Sequence, residues 1–69
     1  MNHWQDAEKH VDNALEMFER ERWAEAEQEL RKALQIDPEQ GDWHFNLGLT
    51  LEKTERDAEA LSSFQHAVR

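Results

Sequence analysis

The 69-residue chain contains no cysteine. Disulfides, thiolate metal sites and a cysteine nucleophile are excluded together. Nor is there an apolar run near the ~18 residues of a membrane helix, or a charged-then-apolar amino terminus. Neither a membrane span nor a signal peptide is expected, and cytoplasmic residence is the default expectation. A serine-centred nucleophile motif and a phosphate-cradling glycine loop are also missing. Basic charge is scarce: 8 Lys and Arg stand against 16 Asp and Glu, a formal charge of −8. That surplus repels nucleic acid and anionic membrane and steers basic partners inward. Leu, Ile, Val and Phe total only 13 residues, a share bordering on disordered chains. Eight alanines, three tryptophans and clear periodicity point instead to one small folded domain.

What is present is repetition. RERWAEAE at 20–27 has a counterpart in TERDAEAL at 54–61, 34 residues later. Laying 7–35 over 41–69 gives eight identities among 29 pairs without a gap. They are His10/His44, Leu15/Leu49, Glu21/Glu55, Arg22/Arg56, Ala24/Ala58, Glu25/Glu59, Ala26/Ala60 and Ala33/Ala67. Ala14/Gly48, Met17/Leu51, Leu30/Phe64 and Leu34/Val68 keep size or apolarity. The chain is a tandem duplication. Residues 1–6 read as an extension running into the first helix, 7–40 as repeat 1, and 41–69 as repeat 2, truncated before its final turn.

Each repeat reads as two helices. Ala7, Val11, Ala14, Leu15 and Phe18 recur at helical spacing until RER at 20–22 interrupts them. Trp23, Ala26, Leu30, Ala33 and Leu34 form a second stripe, ended by IDPEQG, where Pro38 disfavours helix at Asp37 and Gly41 loosens the chain. Asp42 is the expected N-cap of a third helix, and a fourth begins near Asp57 with Ala60, Leu61, Phe64, Ala67 and Val68. The fold class is all-α, with four antiparallel helices in two helix-turn-helix units.

Gly48 stands inside the third helix, where glycine costs about 1 kcal/mol against alanine. Its alignment with Ala14 argues for packing rather than for a hinge. Small residues at Gly48 and Ala60, as at Ala14 and Ala26, would let paired helices approach closely, with Leu47, Leu51 and Phe64 closing over the contact.

This 34-residue unit resembles the tetratricopeptide repeat (TPR) family. Asn46-Leu47-Gly48, Leu51, Ala60, Phe64 and Ala67 match its signature in the second unit. Ala14, Ala26, Leu30, Ala33 and Asp37-Pro38 match it in the first. Asn13, in a slot that is usually leucine, and His10 and His44, in place of a large apolar residue, depart from it. The resemblance implies a right-handed superhelical scaffold whose first helices line a concave, partner-binding surface.

The residues can be asked separately for such a surface. His44, Leu47, Gly48 and Leu51 cluster on one side of the third helix, while Phe45 and Leu49 point elsewhere. The first helix likewise has a second stripe, Trp4, Val11, Leu15 and Phe18. This stripe beside Phe45 and Leu49 is the candidate groove, joined by Asn46 and Lys53. The alternative is that part of it packs between repeats or under the N-terminal extension. Acidic residues around it (Glu8, Asp12, Glu19, Asp42, Glu52) favour a protein or peptide partner that is amphipathic or extended, with basic flanks. A subset of the family clamps a chaperone C-terminal carboxylate with lysine and asparagine. Asn46 matches one such position, but Val11 and Leu15 occupy others, which argues against a clamp.

Enzymatic readings find little support. His3, Asp6 and His10 have helical spacing, yet two turns, about 10.5 Å, separate the histidines, too far for one zinc. His10 and His44 share an inward slot where a pH-sensitive packing role would be possible. No two glutamates are isolated in an apolar pocket. No catalytic residue, metal or cofactor is expected. The second functional reading is homo-oligomerisation, because Leu61, Phe64 and Val68 would normally be covered by a following helix. On that view the chain is a fragment of a longer array, or copies pack end to end.

Overall fold

The computed structural model describes residues 3–68, with side chains from 5 to 68. Its four helices are α1 (His3–Glu19), α2 (Trp23–Ile36), α3 (Gly41–Lys53) and α4 (Asp57–Ala67), and no strand occurs among the described residues. α1 packs on α2, α3 on α4, and α2 joins the two hairpins through α3. The Cα envelope measures 37 × 29 × 13 Å, a slab too thin to enclose any helix on all sides.

The turns inside the repeats close identically. After α1, the Glu21 N–H donates to the Phe18 carbonyl at 3.0 Å and the Arg22 N–H to Met17 at 2.8 Å. After α3, Glu55 donates to Glu52 at 3.1 Å and Arg56 to Leu51 at 3.0 Å. This is the Schellman pattern, whose pivotal residue adopts left-handed backbone. Glycine suits that pivot, but glutamate fills it twice, with φ of 59° at Glu21 and 60° at Glu55.

The connection between repeats follows from Pro38. Asp37 is extended, at φ −139° and ψ 91°, as a residue before proline prefers. Its carboxylate accepts hydrogen bonds from the Glu39 N–H at 3.3 Å and the Gln40 side-chain amide at 2.9 Å. α3 then starts two residues earlier than the sequence suggested: Gln40 is its N-cap and Asp42 lies in its first turn. There Asp42 favours the positive helix end as a charge rather than as a cap. Gly41 does more than loosen the chain, because a Cβ on it would stand 2.8 Å from the Ala67 carbonyl oxygen. The start of α3 meets the end of α4 through that missing atom.

One core cluster runs through both repeats: Ala7, Val11, Ala14, Leu30 and Ala33 with Trp43, Leu47, Leu51 and Ala60. Fully burying a side chain such as Leu30 or Leu51 contributes about 1.5–3 kcal/mol. The anchor of α3 is Trp43, 7 % exposed, a residue that apolar spacing alone does not single out. With Leu47 and Thr50 it forms a stripe at i, i+4 and i+7. The Thr50 hydroxyl is satisfied by the Asn46 carbonyl at 2.9 Å.

Gly48 makes room for the Phe64 ring. A Cβ built on Gly48 would lie 2.5, 2.7 and 2.9 Å from Cε1, Cδ1 and Cζ of the Phe64 ring. The repeats exchange volume here: Ala14 with Leu30 in the first becomes Gly48 with Phe64 in the second.

Candidate interaction surface

The residues proposed for the groove separate into three environments. Leu15, Phe18, Asn46 and Leu49 come together around a cavity of about 80 Å³ between α1 and α3, completed by Ala14, Leu30 and Thr50. Leu15 is 44 % exposed at its rim. A cavity of this size suits a small aliphatic group, since a water's share of liquid volume is about 30 Å³. Its lining is almost wholly apolar, which favours such a group over a polar one.

Val11 does not line this surface. It is 9 % exposed and belongs to the core cluster, because about 40° of helix rotation separates it from Leu15 and turns it toward the second repeat. Phe45 also stands apart from the cavity: its ring lies 5.6 Å from that of Phe64, and the residue is 49 % exposed. The Trp4 side chain lies outside the described residues, as does that of His3.

Lys53 is not among the residues lining the cavity. Its ammonium sits 5.6 Å from the centroid of the Trp23 ring, a cation–π contact that ties α3 to α2. Trp23 in turn meets Phe18 edge-on, at 4.9 Å between centroids. The wall beside the cavity is therefore itself a linked set, Phe18–Trp23–Lys53.

A second polar set joins the repeats at α2 and α4. Arg31 bonds Glu27 at 2.9 Å and Glu59 at 3.3 Å, while Arg56 bonds Glu27 at 2.5 Å and Glu59 at 2.6 Å. The hydrogen bond from Arg56 holds the Glu59 carboxyl below its ordinary pKa. The same bond, with Glu27 assisting, raises the Arg56 guanidinium. This ring of four charges positions α4 against α2 and was not legible from the separate helices.

The inward slot shared by His10 and His44 is used differently in each repeat. His10 pairs with Glu29 on α2 at 2.6 Å. His44 stacks on His66, with centroids 5.1 Å apart, and bonds the Pro38 carbonyl at 2.8 Å. Among the described residues no three His, Cys, Asp or Glu side chains converge as metal ligands, and no helix is long and apolar enough to cross a membrane. Of the residues suggested for self-association, Leu61 is 59 % and Val68 85 % exposed, whereas Phe64 is half-buried over Gly48.

Residues 14–55 match a family model described as TPR repeat, and residues 44–69 match one described as Tetratricopeptide repeat. No curated protein and no solved structure matches the chain.

Proposed function

The chain belongs to the tetratricopeptide repeat family, whose repeats are typically non-catalytic and mediate protein–protein interaction, and on that footing we propose that its α1/α3 face binds a basic peptide. The observation that carries this reading is the apolar cavity lined by Leu15, Phe18, Asn46 and Leu49. It would take one aliphatic side chain of the ligand as an anchor.

Charge supports the choice of ligand. Glu8 and Glu19 flank Leu15 along the exposed side of α1, at seven residues before and four after. Asp42 flanks Leu49 in the same way, and Asp12 is exposed nearby. Lysines or arginines on either side of an aliphatic anchor would meet these carboxylates, raising the association rate and selecting against acidic segments.

The test is a fluorescence titration of a labelled amphipathic peptide with a central leucine and Lys/Arg flanks. Leu15→Ser with Leu49→Ser should weaken binding at least about tenfold, the scale of losing a central anchor. Raising the salt should weaken it further. Unchanged affinity in a variant that keeps its helical circular dichroism would place the ligand elsewhere.

A further inference from the structure

The repeat offset sets His10 against His44 and Glu29 against Ser63. In repeat 1 the pair is complete, because His10 Nδ1 bonds the Glu29 carboxylate at 2.6 Å. In repeat 2 a hydroxyl stands where that carboxylate was. His44 uses its other nitrogen, Nε2, whose N–H donates to the Pro38 carbonyl at 2.8 Å. Its Nδ1, the atom that meets Glu29 in repeat 1, bonds no described group. Ser63 is also left over. It is 7 % exposed, and its hydroxyl has no hydrogen-bond partner among the described residues. No described side-chain N or O is both sealed and unpartnered, so this hydroxyl opens onto the space beside it.

That space is a cleft of about 390 Å³ between α2 and α4, which His44 and Ser63 line together with Arg31 and His66. The His66 Nδ1–H donates to the Ser62 carbonyl at 2.7 Å and the ring stacks on His44, so both imidazoles are held in place. The chain has 16 Asp and Glu, yet among the described residues none lines this cleft. It shares no residue with the cavity between α1 and α3. Arg31 can turn toward a ligand at little cost. Its bond to Glu59, at 3.3 Å, is the longest of the charged ring, and Arg56 bonds both Glu27 and Glu59. Neither carboxylate is left unpaired when Arg31 Nη2 moves.

The second repeat therefore lacks an anion that the first supplies from its own chain. Between His44 Nδ1 and an anionic oxygen one proton makes the bond, whichever atom carries it. A phosphate monoester holds its second proton down to about pH 6, whereas a carboxylate has lost its own well below that. Its three terminal oxygens can also accept from Arg31 and Ser63 together. Leu34, Pro38 and Leu47 complete the lining and suit a carbon stem. We propose that this cleft binds a phosphorylated serine or threonine of a partner polypeptide, its phosphate standing where Glu29 stands in repeat 1.

The probe is a labelled alanine pentapeptide with one central phosphothreonine, titrated by anisotropy into the full chain. Saturable binding should fall at least about tenfold in R31Q, the scale of one lost charge-assisted hydrogen bond. S63E restores the carboxylate of repeat 1 and should abolish binding, while E59Q, which frees Arg31, should tighten it. Arg31 and Glu59 are exposed, so R31Q and E59Q should keep their helical circular dichroism. R31Q should leave the titration of the basic, leucine-centred peptide unchanged, which separates this cleft from the α1/α3 face. No saturation up to about 1 mM, unchanged affinity in R31Q or in folded S63E, or equal affinity for a pentapeptide with central glutamate would overturn the assignment. Inorganic phosphate binding as tightly as the phosphopeptide would overturn a polypeptide as the source.

Discussion

Gly48→Ala sets two effects of known sign against each other. Alanine gains about 1 kcal/mol over glycine in a helix interior. Its Cβ, however, would stand 2.5–2.9 Å from three atoms of the Phe64 ring, when carbon atoms rest about 3.5–4.0 Å apart. The ring must retreat by about 1 Å, and Phe45 at 5.6 Å lies beside it. Overpacking of this kind costs about 1–3 kcal/mol, so the net effect is destabilisation by about 1 kcal/mol. In a domain this small that lowers the melting temperature by about 4–8 °C. Phe64→Leu in the same chain should reverse the sign, because it recreates the Ala14 and Leu30 combination of repeat 1. Urea unfolding followed by circular dichroism on the four members of this cycle should give a coupling of about 1 kcal/mol or more. A stabilising Gly48→Ala in the otherwise unchanged chain, or no coupling with Phe64→Leu, would refute the packing account of Gly48.

Two further outcomes follow from the turns and the charged ring. Glu21→Gly and Glu55→Gly should each stabilise the fold by about 0.5–1 kcal/mol in urea unfolding, since each removes a left-handed non-glycine residue (φ 59° and 60°). A loss of stability in either would mean the glutamate side chain matters more than its backbone. Glu59 has a depressed folded pKa, so its stabilisation is complete above the ordinary glutamate pKa and is lost as pH falls through the lowered folded value. The urea midpoint should therefore fall on acidification, and E59Q should make that fall shallower; identical pH curves would remove Glu59 from the linkage.

The groove residues show where helical periodicity stops being informative. In α3 the residues Trp43, Phe45, Leu47, Leu49 and Leu51 are all apolar, so apolar residues stand on two sides of the helix, Trp43, Leu47 and Leu51 on one and Phe45 and Leu49 on the other. No single stripe then marks the inward face. The arc through His44, Leu47, Gly48 and Leu51 captures the contact with α4, but it leaves out Trp43, the residue that anchors α3 to repeat 1. On α1 the difficulty is finer: Val11 and Leu15 share one stripe, yet one is buried and the other is 44 % exposed. The Glu27–Arg31–Arg56–Glu59 ring joins residues up to 32 positions apart (59 minus 27), and no local pattern announces it.

Helix identity, the turn at Asp37-Pro38 and the duplication belong to the sequence alone. They depend on backbone preferences and on spacing, which act within a few residues or repeat at a constant offset. Which apolar side chain is sealed and which stays wet was decided by tertiary packing. Burial is a property of neighbours: α3 seals Val11 and Leu30, and no described element stands over Phe45, Leu61 or Val68. The need for a bare Cα at Gly48 likewise exists only once α4 lays the Phe64 ring across it.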